Sequence, residues 1–127
     1  MAPLMNSRDR VLSYLASFAS GNPDDVVRHV TDDFDNQQVG ELGTSCQGRD
    51  TYRDRLTTFL ADFKGLRYET ETVIAEADRV AVVYKMSCRY ADKPIAMQGV
   101  MIMTLRDGLI ASRADYWDGM SFLKQTE

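Results

Sequence analysis

The sequence predicts an α+β domain in which helices come first and antiparallel strands follow. Three observations predict it. Apolar residues recur at helical spacing in three segments before Gly65. They alternate at strand spacing in four segments after it, and short turn signals join those strands.

The first helix follows Ser7, a capping residue, with Val11, Leu12, Tyr14, Leu15, Phe18 and Ala19 along one face. Gly21 stands where a helix ends on a left-handed residue. Asn22-Pro23-Asp24-Asp25 then reads as an N-cap, a first-turn proline and acids that complement the helix dipole. Val26, Val27 and Val30 form the apolar face of this short second helix, and His29 is expected half-exposed near its end. Phe34 to Val39 reads as a short strand or an extended segment, and Gly40 to Gly48 is a polar loop. A third helix runs from about Asp50 to Phe63, carrying Tyr52, Leu56, Phe59, Leu60 and Phe63 on one side, and Gly65 stops it.

The strands are expected at Leu66 to Ala75, Val80 to Tyr90, Ile95 to Leu105 and Leu109 to Trp117. Between them lie turns at Glu76-Ala77-Asp78, Ala91-Asp92-Lys93-Pro94 and Arg106-Asp107-Gly108. Met120 to Gln125 forms a closing turn of helix.

At 127 residues the chain fits one domain, expected over residues 7–127 behind a short disordered tail at 1–6. Its net charge of −4 argues against nucleic acid, because phosphate binding needs a basic surface. No segment reaches the roughly 18 apolar residues of a membrane span, and the N-terminus does not read as a signal peptide. A cytoplasmic protein with Cys46 and Cys88 as reduced thiols is expected. With a single histidine and no Cys/His grouping, a metal would rest on carboxylates alone, so neither metal nor cofactor is expected. The same scarcity removes Ser/His/Asp and Cys/His nucleophile sets.

The element order resembles the nuclear transport factor two-like superfamily, which includes SnoaL-like cyclases, ketosteroid isomerase and limonene epoxide hydrolase. The resemblance rests on Tyr14 to Asn22, on Gly48-Arg49-Asp50, and on Asp107-Gly108-Leu109-Ile110 followed by Asp115-Tyr116-Trp117-Asp118. Together these span about residues 8 to 124. The resemblance implies a curved sheet that forms a cone around an internal pocket, with the three helices packed on it. It also implies a small apolar or polycyclic ligand and a homodimer through the sheet.

Site residues follow from the same resemblance. Similarity to limonene epoxide hydrolase puts Asp115 at the water-activating base and Lys85 at a bridging arginine. Ser87 falls at the second, acidic aspartate, with Asn36 and Gln38 at the water-holding tyrosine and asparagine. The acid is thus lost, and lysine cannot bridge two groups as a planar guanidinium does. Similarity to ketosteroid isomerase puts Tyr14 at an oxyanion donor, with the base near Gln38 and a second donor near Met101. A core tyrosine with one satisfied hydroxyl is the plainer reading of Tyr14. SnoaL-like cyclases need only an acid on the last strand and an apolar cavity. Asp115 meets that requirement, and Asp118 does so if the C-terminal alignment shifts.

Strand parity puts Arg113, Asp115 and Trp117 on one face, expected in the pocket. An ion pair of Asp115 with Lys85 or Arg113 is the structural alternative to catalysis. Met97, Met101 and Met103 alternate on one strand as core filler or as an adaptable pocket wall, with Met101 and Met103 taken as ligand contacts. One conflict stays open. The apolar even face of Val80 to Tyr90 lies opposite Lys85, Ser87 and Arg89, which the alignment turns toward the pocket. The even face is then a dimer surface, or a one-residue slip puts Met86 and Cys88 inside. The expected function is a cofactor-free cyclase or isomerase with Asp115 as base and Lys85 and Tyr14 as partners. A non-catalytic ligand-binding or dimerising module is the alternative, and a divergent epoxide hydrolase is the third reading.

Overall fold

The computed structural model describes residues 5–127. Most of the expected tail therefore lies outside the described residues, but Asn6 does not. Its side chain accepts from the Asp9 amide at 2.8 Å and caps α1 (Ser7–Ser17), so the cap falls one residue before Ser7. A 3-10 turn over Phe18–Ser20 follows, ended by Gly21 at φ 72°. Asn22 caps α2 (Pro23–Val27) through a 3.0 Å bond from the Asp24 amide, with Pro23 in the first turn.

The segment after α2 differs from expectation. Val30 is not helical but opens β1 (Val30–Val39), and part of the expected polar loop forms β2 (Ser45–Gln47). His29 is not half-exposed: only 1% of its surface is accessible. Its Nδ1 lies 3.2 Å from the Val26 carbonyl and its Nε2 2.9 Å from the Ser13 hydroxyl. Since a carbonyl can only accept, Nδ1 carries the proton and Nε2 accepts.

α3 (Arg49–Asp62) buries Tyr52 and Leu56. Arg49 ties its start to β1, donating to the Val30 carbonyl at 2.9 Å. β3 (Lys64–Glu76), β4 (Arg79–Tyr90), β5 (Lys93–Arg106) and β6 (Leu109–Trp117) follow as hairpins, and α4 (Gly119–Gln125) closes the chain. The β4–β5 and β5–β6 loops have two central residues each, Ala91-Asp92 and Asp107-Gly108, all at positive φ. That geometry matches the right-handed twist of the paired strands.

The curved sheet has the order β2-β1-β6-β5-β4-β3. It is mixed: β1 runs parallel to β6, while every other pair is antiparallel. The helices cover one face, and the core lies between. On β4 the even residues Val80, Val82, Tyr84, Met86 and Cys88 are buried, while Val83, Lys85, Ser87 and Arg89 are exposed. The one-residue alternative therefore holds, and the even face is the inner one rather than a dimer surface. The physical reason is that five alternate apolar positions on one face gain most by lying under the helices. Cys46 and Cys88 are both buried and free. Among the described residues, no helix is long and apolar enough to cross a membrane.

Candidate functional site

Strand register brings the site together. In the β1–β6 pair Asn36 lies beside Arg113 and Gln38 beside Asp115. In the β5–β6 pair Asp115 faces Met101 and Trp117 faces Gly99, whose β4 partner is Tyr84. Inward positions of β1, β4 and β6 thus converge on one wall of a cavity of about 880 Å³. Its polar wall is Asn36, Gln38, Tyr84, Arg113 and Asp115; Met86 and Met97 continue the sheet side, and Phe18, Leu56, Phe59 and Phe63 line it from the helical segments. Leu42 and Leu123 line the cavity and are exposed, so they mark its mouth.

At the centre is a buried ion pair. Arg113 Nη2 donates to Asp115 Oδ2 at 2.9 Å, and the two side chains are 4% and 5% exposed. The Tyr84 hydroxyl donates to Asp115 Oδ1 at 2.5 Å. Arg113 Nη1 donates to the Tyr14 hydroxyl at 3.2 Å, which lies 2.5 Å from the Tyr52 hydroxyl. The Arg113 guanidinium also sits over the Tyr14 and Phe18 rings, 5.9 and 6.0 Å from their centroids.

The charge states follow from these surroundings. Burial pushes the Tyr84 phenol well up, and the adjacent Asp115 charge adds to that, so Tyr84 stays protonated and acts as a donor. Burial likewise raises Tyr14, Tyr52 and Tyr68. Asp115 is the one buried acid among the described residues. Each of its oxygens accepts one protein hydrogen bond and keeps a lone pair for a ligand. Asn36 Oδ1, Arg113 Nε and Trp117 Nε1 are buried on this wall without a protein partner. Such groups are uncommon in a finished core and are expected where water or a ligand completes the bonding. No three His, Cys, Asp or Glu side chains cluster as metal ligands among the described residues.

The structure separates the expected site residues into three groups. Asp115, Asn36, Gln38 and Trp117 line the cavity. Tyr14 is fully buried and touches Arg113, but it does not line the cavity. Lys85 and Ser87 lie on the opposite, exposed face, so neither reaches Asp115; with β4 turned the other way, the bridging and acidic positions fall outside. Met101 and Met103 are wholly buried core residues rather than cavity wall, whereas Met86 and Met97 line it. Asp118 caps α4, accepting from the Ser121 amide at 3.1 Å, and is exposed, which removes it as an alternative base.

Sequence reasoning missed Tyr84 as the second partner of Asp115. The even-face alternation carried the signal, since it turns Tyr84 inward with Val82 and Met86. Arg113 was visible through its shared parity with Asp115. Tyr52, read from the sequence only as part of the apolar side of the third helix, lines the cavity and holds its hydroxyl 2.5 Å from that of Tyr14.

A search of curated proteins gives no match. Among solved structures, a protein of ketosteroid isomerase-like fold from Catenulispora acidiphila, in complex with trimethylamine, superposes with a TM-score of 0.85. It is 17% identical, over 94% of this chain and 92% of the other. An LEH-like epoxide hydrolase from M. tuberculosis gives 0.82 at 17% identity, over 94% and 87%. SalBIII, an epoxide hydrolase/cyclase-like enzyme with a role in pyran ring formation in the polyether salinomycin, gives 0.79 at 20% identity, over 91% and 92%. At such identities the likeness concerns the fold. The SnoaL-like domain family, by contrast, is matched in sequence over residues 11–113, most of the chain and all but the last part of the polar wall. The chain therefore belongs to the SnoaL-like domain family.

Proposed function

We propose that the cavity binds a small apolar or polycyclic molecule, and that Asp115 is the general base of a cofactor-free cyclisation or isomerisation. One observation carries the reading. A buried carboxylate stands on the wall of an otherwise largely apolar cavity, and a different donor orients each of its oxygens. A carboxylate so fixed can take a proton from a carbon next to a carbonyl without first reorienting. Arg113 and Tyr84 replace Lys85 as its partners, and Tyr14 acts through Arg113. The ring-forming chemistry named for SalBIII and the epoxide chemistry of the LEH-like enzyme indicate the substrates to try first.

The test is turnover of cyclic ketones, ring-forming hydroxy-ketones and epoxides by wild type and Asp115→Asn. Trp117, the single tryptophan, lines the cavity and reports binding by fluorescence. Turnover lost with binding retained supports a base. Turnover retained in the variant removes Asp115 from the chemistry.

A binding module is the second reading, favoured by the fact that Asp115 is already paired on both oxygens, as in a structural ion pair. Wild type that binds these ligands and converts none of them selects it. A divergent epoxide hydrolase is the third reading, and Tyr84 serves it poorly as an acid, since its hydroxyl already donates to Asp115 and burial raises its pKa. We further propose a homodimer through the outer sheet face, where Val83, Val100 and Tyr116 adjoin in register beside Ile102. Val83, Ile102 and Tyr116 are exposed large apolar residues. Light scattering in solution gives the mass that decides it.

A further inference from the structure

We infer that Gly99 is a positioning residue: its missing side chain is the gap through which Tyr84 reaches Asp115. The inference rests on the reading of Asp115 as the working carboxylate. Tyr84 on β4 and Asp115 on β6 are separated by β5, two strand spacings or about 10 Å across the sheet, and are offset by two residues along it. The inward β5 residue beside Tyr84 is Gly99, which pairs with Tyr84 on one side and Trp117 on the other, while Asp115 pairs with Met101 two residues further along β5. The phenol crosses β5 over this position to place its hydroxyl on Asp115 Oδ1 at 2.5 Å.

Space, not backbone conformation, is what requires glycine. Gly99 lies in a strand and is not among the positive-φ glycines. A Cβ built there would stand 2.5 Å from the Tyr84 hydroxyl oxygen and 2.7 Å from Cζ. It would also stand 2.8 Å from the Tyr116 carbonyl oxygen. Real Cβ atoms essentially never approach so closely, so something must move. The ring is the movable part, and moving it takes the donor away from the carboxylate. Glycine inside a strand is otherwise unfavourable, which fits a close approach as its purpose. Inward neighbours on β5, Met97 and Met101, keep full side chains.

The test compares wild type, Gly99→Ala, Tyr84→Phe and the pair Gly99→Ala/Tyr84→Ala, without any substrate. A phenol proton held on a buried carboxylate gives a downfield, slowly exchanging proton resonance, which Tyr84→Phe assigns by deleting it. Gly99→Ala is expected to lose that resonance while keeping a folded amide spectrum. A folded Gly99→Ala protein with the Tyr84 resonance unchanged overturns the inference. If Gly99→Ala does not fold, the double variant decides. Recovered folding, once the ring is truncated, supports the gap. Continued failure assigns the glycine to the Tyr116 carbonyl and overturns the inference. The readout is independent of turnover: an inactive Asp115 would leave the resonance in place and refute only the proposed function.

Discussion

Replacing Arg113 by Met leaves Asp115 a buried charge with one remaining donor. At 2.9 Å and an effective dielectric of about 20, the attraction in the pair is roughly 6 kcal/mol. Most of that offsets the desolvation of the two ions, so the pair itself adds little net stability. Removing one partner is different, because the desolvated charge stays behind, at a cost of about 3–5 kcal/mol. The exposures of 4% and 5% leave little room for solvent screening of the pair. The cavity beside Asp115 can admit water to the abandoned carboxylate, which favours the lower end, about 3 kcal/mol. For a domain of 127 residues this is a fall of about 10 °C in Tm. Urea unfolding at pH 7 measures it. Arg113→Met/Asp115→Leu, which removes both charges, should recover most of the loss. A single-variant loss under about 1 kcal/mol would mean that the pair behaves as a solvated surface bridge, and the account of a buried pair would fail.

Two further outcomes are expected. Burial is the main cause lowering the His29 pKa below 6.5, and the charges of Arg10 and Arg28 act in the same direction against the opposing Val26 carbonyl. The folded chain thus prefers the neutral ring. Its contribution is fully present above about pH 6.5 and is lost as pH falls through the folded value. His29→Gln should flatten the loss of urea midpoint between about pH 7 and 5. An unchanged slope would locate the acid sensitivity elsewhere. Ile102→Glu puts a charge in the outer apolar stripe and should convert a dimer to monomer by light scattering, with Tm nearly unchanged if the monomer is self-sufficient. A dimer that survives the substitution would place the interface on another surface.

Much of the fold is legible along the chain because its signals are local. The Asn22-Pro23 start, the Gly21 stop and the Asp107-Gly108 hairpin each depend on the backbone preferences of one or two residues. The shared face of Arg113, Asp115 and Trp117 follows from a period of two. Expectation departs from structure where a choice is not local. Val30 leaves the helix for β1, and Ser45–Gln47 pairs, because a strand partner is present across the sheet.

The sequence by itself determined an α+β domain, the order of its elements, and Asp115 as the acid to watch. Alternation says that β4 has two unlike faces, but not which one the helices cover. That choice is made by burying Val80, Val82, Tyr84, Met86 and Cys88 together, and it sends Lys85 and Ser87 outward. Likewise, the parallel register of β1 on β6 sets Asn36 beside Arg113 and Gln38 beside Asp115. Passage of Tyr84 over Gly99 needs three strands in place at once. Only the tertiary structure decides these contacts, because each depends on residues far apart in the chain that meet when the whole core closes.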